Sequence, residues 1–191
     1  MVDTLPQYRL NARDALPGFV CTVGDTTLRA IADLRIISLA VPADRQTAFE
    51  RAIQTSYHMA APRIGHAAVT PDQGIRLIGA AAEHYLLLGA AEDLPLHAVS
   101  ALGDTALLTD QSDNWVILSL SGTLSRYVLS RFCMLDLHPD VFLLYQYAST
   151  RIEHITAHIM RIGENHYTIQ SPRSSAESLA HALENALKLV S

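Results

Sequence analysis

Apolar residues along this chain change their period several times, and each change marks an element. The run DLRIISLA, residues 33–40, is nearly continuous in Ile, Leu and Ala, the pattern of a buried strand. In VPADRQTAFERAI, which follows, Ala48, Phe49, Ala52 and Ile53 recur at helical spacing, and Asp44 stands where an N-cap belongs. GIRLIGAAAEHYLLLG, residues 74–89, has two apolar runs parted by small and polar residues and predicts a hairpin with a moderately long turn. Asp93 and Pro95 then predict the start of a short helix. The last helix is the most regular: Ala176, Leu179, Ala180, Leu183, Ala186, Leu187 and Val190 form one stripe, and Ser174 and Glu177 have capping-box spacing. Core packing explains that stripe without any further role.

The same order of elements occurs twice. DNWVILSLSGTLSRYVLSRF from Asp113 parallels DLRIISLAVPADRQTAFERAI from Asp33, an offset of 80. RIEH at 151–154 parallels RIGH at 63–66, an offset of 88. IMRIGENHYTIQ parallels IRLIGAAAEHYLLL, with His166 and Tyr167 opposite His84 and Tyr85, an offset of 82. Each half reads as strand, helix, two or three strands, helix, which predicts an α+β fold with helices packed on one side of an antiparallel sheet. The expectation is a single domain over residues 1–191 with two repeated, pseudo-twofold-related lobes, about 27–105 and 106–191. The rise in offset from 80 to 88 places LDLHPDVF in a segment that only the second half carries.

Composition narrows the class. The 191 residues are 49% hydrophobic and 17% charged, enough for a sizeable core. The net charge is -5 with no block of Lys or Arg, so the footprint that grips a phosphate backbone is missing and nucleic acid is not an expected partner. No secretion signal or membrane span is evident, because Glu83 and His84 break the most apolar stretch. Two cysteines, Cys21 and Cys133, cannot build a disulfide framework, which fits a reducing cytoplasm.

Candidate chemistry centres on SRFCMLDLHPDVF, residues 130–142, which gathers Cys133, Asp136, His138 and Asp140. A metal needs three or four converging donors. Pro139 biases His138 toward an extended conformation, and alternate residues there lie about 6.5 Å apart, too far for one ion without a turn. The bland alternative has Asp136 capping backbone amides and His138 bonding locally. His154 and His158 have helical metal-ligand spacing, but Ile155, Thr156 and Ile159 favour a strand, where the two rings would stand about 13 Å apart. Gly74 and Gly79 lack the lysine of a phosphate loop, and Ser121 lacks the preceding glycine of a nucleophile elbow. Gly122 instead relaxes a strand-to-helix turn, with a Ser or Thr capping the helix that carries Leu124, Tyr127 and Val128. A Cys133 and His138 nucleophilic pair stays open, whereas burial of Cys133 at the end of that helix makes it inert core. No complete catalytic set emerges.

Residues 115–142 and 150–183 resemble the gamma subunit of heterotetrameric sarcosine oxidase and its relatives. Cys133, Leu135, Asp136, Leu137, His138, Pro139 and Phe142 match one element of that family, and Arg173, Ser174, Ala176, Glu177, Ser178 and Leu179 match a second. The resemblance implies a fold similar to the folate-binding aminomethyltransferase domains and a subunit without a cofactor of its own. It further implies alpha, beta and delta partners, chiefly alpha. NAD and the folate-binding domain are expected on alpha, FAD on beta, FMN between them and zinc on delta. The assembled enzyme would oxidatively demethylate sarcosine or a similar N-methyl amine and pass the one-carbon unit to tetrahydrofolate. On that reading Leu135, Asp136, Leu137, His138, Pro139 and Phe142 are candidates for a partner interface. The competing readings are a standalone folate-dependent one-carbon transferase and a metal hydrolase using Cys133, Asp136 and His138.

Overall fold

The computed structural model describes residues 13–190. The first half contains β1 (Val20–Val23), β2 (Thr26–Ile31), β3 (Arg35–Ala40), α1 (Gln46–Tyr57), β4 (Ala67–Val69), β5 (Ile75–Ala81), β6 (His84–Gly89) and α2 (Leu94–Leu102). The second contains β7 (Leu107–Asp110), β8 (Trp115–Ser121), α3 (Ser125–Ser130), β9 (Tyr147–Ile152), β10 (Ile155–Gly163), β11 (His166–Pro172) and α4 (Ala176–Leu189). Two antiparallel sheets result, in the orders β4-β5-β6-β3-β7 and β1-β2-β8-β11-β10-β9.

Both faces of each sheet are used, which is why the strands read as continuous apolar runs. Side chains alternate along a strand. Ile37 and Leu39 of β3 therefore meet Phe49 and Ile53 of α1 and Leu94 and Ala98 of α2, while Ile36 points the other way. In the second sheet Leu118, Leu120, Tyr167 and Ile169 pack under Val128 and Leu129 of α3 and Leu179, Leu183 and Leu187 of α4. Ile36, Ile78 and Leu88 from one sheet and Ile117, Tyr147 and Met160 from the other form a third cluster between the sheets. The layers run helix, sheet, sheet, helix. Each fully buried leucine of α4 contributes about 1.5–3 kcal/mol, so this stripe holds its helix with no help from a cap.

The repeat is visible in the hydrogen bonds. Gly79 pairs with Tyr85 and Arg161 with Tyr167, a constant offset of 82, and both hairpins carry a bulge at the next position. The two halves meet at residues related by 80: the Tyr147 amide donates to the Gly65 carbonyl at 2.8 Å, and the Ala67 amide donates to the Tyr145 carbonyl at 2.8 Å. His66 and Gln146 face each other at the centre. Gly65 and Tyr145, both at positive φ, are the equivalent residues on the two sides.

That register corrects the offset of 88. His66 corresponds to Gln146, not to His154, so there is no net insertion in the second half. RIEH instead closes the β9–β10 hairpin, whereas RIGH precedes β4. The second half has a helix of 6 residues where the first has one of 12, and LDLHPDVF lies in the longer connection that follows it. Strand order also crosses between the halves. β2 pairs with β8, and β7 pairs with β3, so the first half lends the β1–β2 hairpin to the second half's sheet and the second half lends the edge strand β7 to the first's.

Several local expectations change for one physical reason. Pro42 and Pro172, with φ near -57° and -53°, each lead into a single 3-10 turn, Ala43–Arg45 and Arg173–Ser175. Backbone carbonyls then take the first donors: the Arg45 amide bonds to Pro42 at 2.8 Å, and the Ala176 amide bonds to Arg173. Asp44 and Ser174 lie within these turns and cap nothing. Ala48 is exposed, whereas Phe49, Ile53 and Tyr57 are buried. The β5–β6 turn is only Ala82 and Glu83, the latter at φ 59°, because the bulge absorbs the extra residue. Gly79 is a packing glycine: a Cβ there would lie 2.5 Å from the Arg63 carbonyl oxygen.

Candidate docking loop

The strand-to-helix turn before the loop is tied to the first half. Gly122 has φ +120°, and a Cβ on it would stand 2.4 Å from Thr26 Cα and 2.5 Å from the Asp25 carbonyl oxygen. The expected cap comes from a distant strand: the Thr26 hydroxyl accepts from the Leu124 amide at 3.1 Å, and Asp25 accepts from the Thr123 hydroxyl at 2.8 Å and its amide at 3.2 Å. These bonds from Thr123 hold the Asp25 carboxyl below its ordinary value. Helix α3 ends after six residues, and the Cys133 amide bonds back to Leu129 at 3.1 Å.

From there the chain folds on itself. Asp136 accepts from the His138 amide at 2.9 Å, and the Val141 and Phe142 amides donate to the His138 carbonyl at 2.9 and 2.8 Å. The His138 ring stands 3.6 Å from Asp140 with both side chains exposed. Gln146 closes the loop by accepting from the Leu143 amide at 3.0 Å. Asp136 and His138 thus shape the loop locally. Among the described residues no three of His, Cys, Asp or Glu are grouped to hold a metal ion. Cys133 is buried in the core cluster, and burial pushes its thiol up, which leaves it largely protonated and unreactive near neutral pH. It should therefore resist alkylation in the native chain and react promptly after denaturation. Rapid native labelling at Cys133, read by peptide mass, would contradict that expectation.

The six interface candidates divide by direction. Leu137 and Phe142 point into the chain's own core at 3% and 2% exposure, and Leu135 packs half-buried against that core. Pro139 is half-buried, while Asp136 and His138 are exposed. The large apolar side chains that face outward are Met134, fully exposed, and Val141, Leu143 and Leu144, each about half exposed. A loop with its own inner core can present such an outer face rigidly.

Sequence reasoning missed the residue that fixes this loop. Arg161 on β10 is 8% exposed, and its guanidinium donates to the Pro139 and Phe142 carbonyls at 3.1 and 3.0 Å, to Gly163 at 3.1 Å and to Glu164 at 3.3 Å. It joins the loop to the β10–β11 turn. The available signal was an arginine inside the apolar run IMRIG, at the position where the first half has Gly79.

His154 lies in the β9–β10 turn, while His158 sits within β10. The His158 ring stacks on Tyr147 at 5.3 Å and meets the Trp115 edge at 5.7 Å, and burial lowers its basicity. A cleft of about 460 Å³ lies elsewhere, between the β2–β3 and β7–β8 connections, with Arg13, Arg35 and Arg173 interleaved with Asp14, Asp33 and Asp113. No residue of the loop lines it.

No protein-family profile matches the chain. Over 96 residues it is 33% identical to sarcosine oxidase subunit gamma of Corynebacterium sp. (strain P-1), covering 50% of this chain and 47% of that protein. The match therefore spans about half the length of that curated relative. A chain of heterotetrameric sarcosine oxidase from Corynebacterium sp. U-96, in complex with pyrrole 2-carboxylate, superposes with a TM-score of 0.76 at 26% identity, over 87% of this chain and 86% of that one. Glycine cleavage system aminomethyltransferase T from Bartonella henselae gives 0.59 at 20% identity, over 83% of this chain and 45% of that one, a likeness of fold. In sequence and fold together, the chain resembles the gamma subunit of heterotetrameric sarcosine oxidase, on an α+β scaffold of two antiparallel sheets that it shares with the aminomethyltransferase.

Proposed function

We propose that this chain is a noncatalytic subunit that supports the assembly of a heterotetrameric, sarcosine-oxidase-like enzyme. The likeness to the sarcosine oxidase chain over most of both lengths carries this reading. The outer face of the loop at residues 134–144 supports it, since four of the eleven exposed large apolar side chains among the described residues fall there. Such a face, braced from inside, fits a protein partner. In this reading the chief partner is the alpha subunit, with beta and delta completing the complex. FAD, FMN, NAD, zinc and tetrahydrofolate sit on those other subunits, in the cytoplasm. The complex demethylates sarcosine or a similar N-methyl amine and transfers the one-carbon unit to tetrahydrofolate.

Met134→Asp with Leu144→Asp should weaken assembly at least about 30-fold, the effect of losing one or two interface anchors at about 2 kcal/mol. Leu96→Asp, on the exposed face of α2, serves as the control. Co-expression with the flavoprotein subunits and measurement of complex yield checks this, and undiminished assembly of the double variant would remove the loop as a docking face. Asp136→Ala and His138→Ala should leave turnover unchanged in whatever complex forms. Loss of turnover in a fully assembled complex would instead place chemistry on this chain. Stoichiometric binding of tetrahydrofolate to the isolated chain, read by calorimetry, would favour the standalone one-carbon transferase.

A further inference from the structure

The faces of the two sheets that look at each other are not uniformly apolar. On β2 and β8, Arg29 is the register partner of Ser119, and Leu28 and Leu120 beside them point toward the helices. Arg29 and Ser119 therefore look toward the other sheet. His166, at the start of β11, pairs with Ser121, and its Nε2 lies 2.8 Å from the Ser119 hydroxyl. From the facing sheet, Arg76 of β5 is the register partner of Leu88, a residue of the cluster between the sheets.

Arg29 lies in the same sheet as His166, and Arg76 faces it from the other sheet. The charges of Arg29 and Arg76 both act on His166, and after burial they are what lowers its basicity. Burial also weighs on the Arg76 guanidinium, whose Nε is buried without a hydrogen-bond partner. Among the described residues, neither Arg29 nor Arg76 forms a side-chain hydrogen bond or ion pair, and His166 bonds only to Ser119. Arg29 is exposed, and Arg76 and His166 are half-buried, so the cluster meets solvent at Arg29. Among the described residues no carboxylate joins these cationic groups, which repel one another, and a bound anion offsets that repulsion with an attraction to each of them.

We propose that Arg29, Arg76 and His166, with Ser119 holding the imidazole, form a binding recess for a small oxyanion, a phosphate or a carboxylate, at the edge of the space between the sheets. The arginines supply forked donors suited to two oxygens each. The Ser119 bond occupies His166 Nε2 and leaves Nδ1 for the ligand.

The test uses the full chain titrated with inorganic phosphate and, separately, with acetate, against chloride at constant ionic strength. Saturable binding by calorimetry is expected, together with a rise in thermal midpoint and movement of the His166 ring resonances along the same saturation curve. Arg29→Gln, at an exposed position that leaves the fold intact, should weaken binding at least tenfold, and Arg76→Gln should do the same. Arg45→Gln, on the far side of the first sheet, should change nothing. A response to phosphate alone assigns a phosphoryl ligand, and a response to both assigns a carboxylate-tolerant site. No saturable response beyond chloride, or one that survives Arg29→Gln unchanged, overturns the proposal.

Discussion

Arg161→Met should destabilise the chain by about 3 kcal/mol and loosen the loop at residues 134–144 beyond that global loss. Methionine keeps the length and much of the volume of arginine, so the substitution removes donors more than packing. Four backbone carbonyls, of Pro139, Phe142, Gly163 and Glu164, lose a charged donor at a site only 8% exposed. Leaving buried acceptors unsatisfied costs about 1–3 kcal/mol each where water cannot replace the donor. Some of these carbonyls will reach water once the loop opens, which is why the total falls below the sum of four such losses. Arg161→Lys should recover only part of the loss, because a point charge cannot reach both sides of the fork. Denaturant unfolding measures the first effect, and hydrogen exchange at Leu137 and Phe142 measures the second. A variant within about 0.5 kcal/mol of the parent, with equal protection in the loop, would show that Arg161 is not its brace.

Gly122→Ala should be nearly as severe, for a steric reason. The backbone there is at φ +120°, and the new Cβ would meet Thr26 Cα at 2.4 Å, a backbone atom with nowhere to go. Relief requires pulling the β8–α3 turn away from the β1–β2 turn, which also breaks the bonds from Thr123 and Leu124 to Asp25 and Thr26. A loss of about 3 kcal/mol is expected, lowering the thermal midpoint by roughly 10 °C for a chain of this size. Gly24→Ala separates the two contributions. Its φ of +59° is also left-handed, but nothing lies within 4 Å of the added Cβ, so it should cost only about 1 kcal/mol. Equal losses from the two substitutions would mean that the close approach at Gly122 is unimportant.

The doubled architecture was legible because hydrophobic runs and their spacing survive in both halves. Strand β3 and its counterpart β8, the two long hairpins and the apolar stripe of α4 all announce themselves by periodicity. RIGH and RIEH look alike while serving different elements, one before β4 and one between β9 and β10, so matching them overstates the length of the connection. Only the pairing of His66 with Gln146 fixes the true correspondence. The hairpin of β1 and β2 leaves little periodic signal, since VCTV and TTLRAI mix small polar and apolar residues over short runs. At the loop, the local turn built by Asp136 and His138 could be read from residue types. Which of its leucines face inward could not, because that depends on Arg161, nineteen residues beyond Phe142 in sequence.

The exchange of strands between the halves has a kinetic side. β2 completes its pairing only with β8, about ninety residues later, and β3 completes its second edge only with β7. A ribosome that has released the first half alone has made a sheet with one flank bare and a hairpin with no sheet to join. Such a chain must wait for its second half before either sheet can close, so its productive folding is delayed and its unpaired edges are open to strangers in the interval.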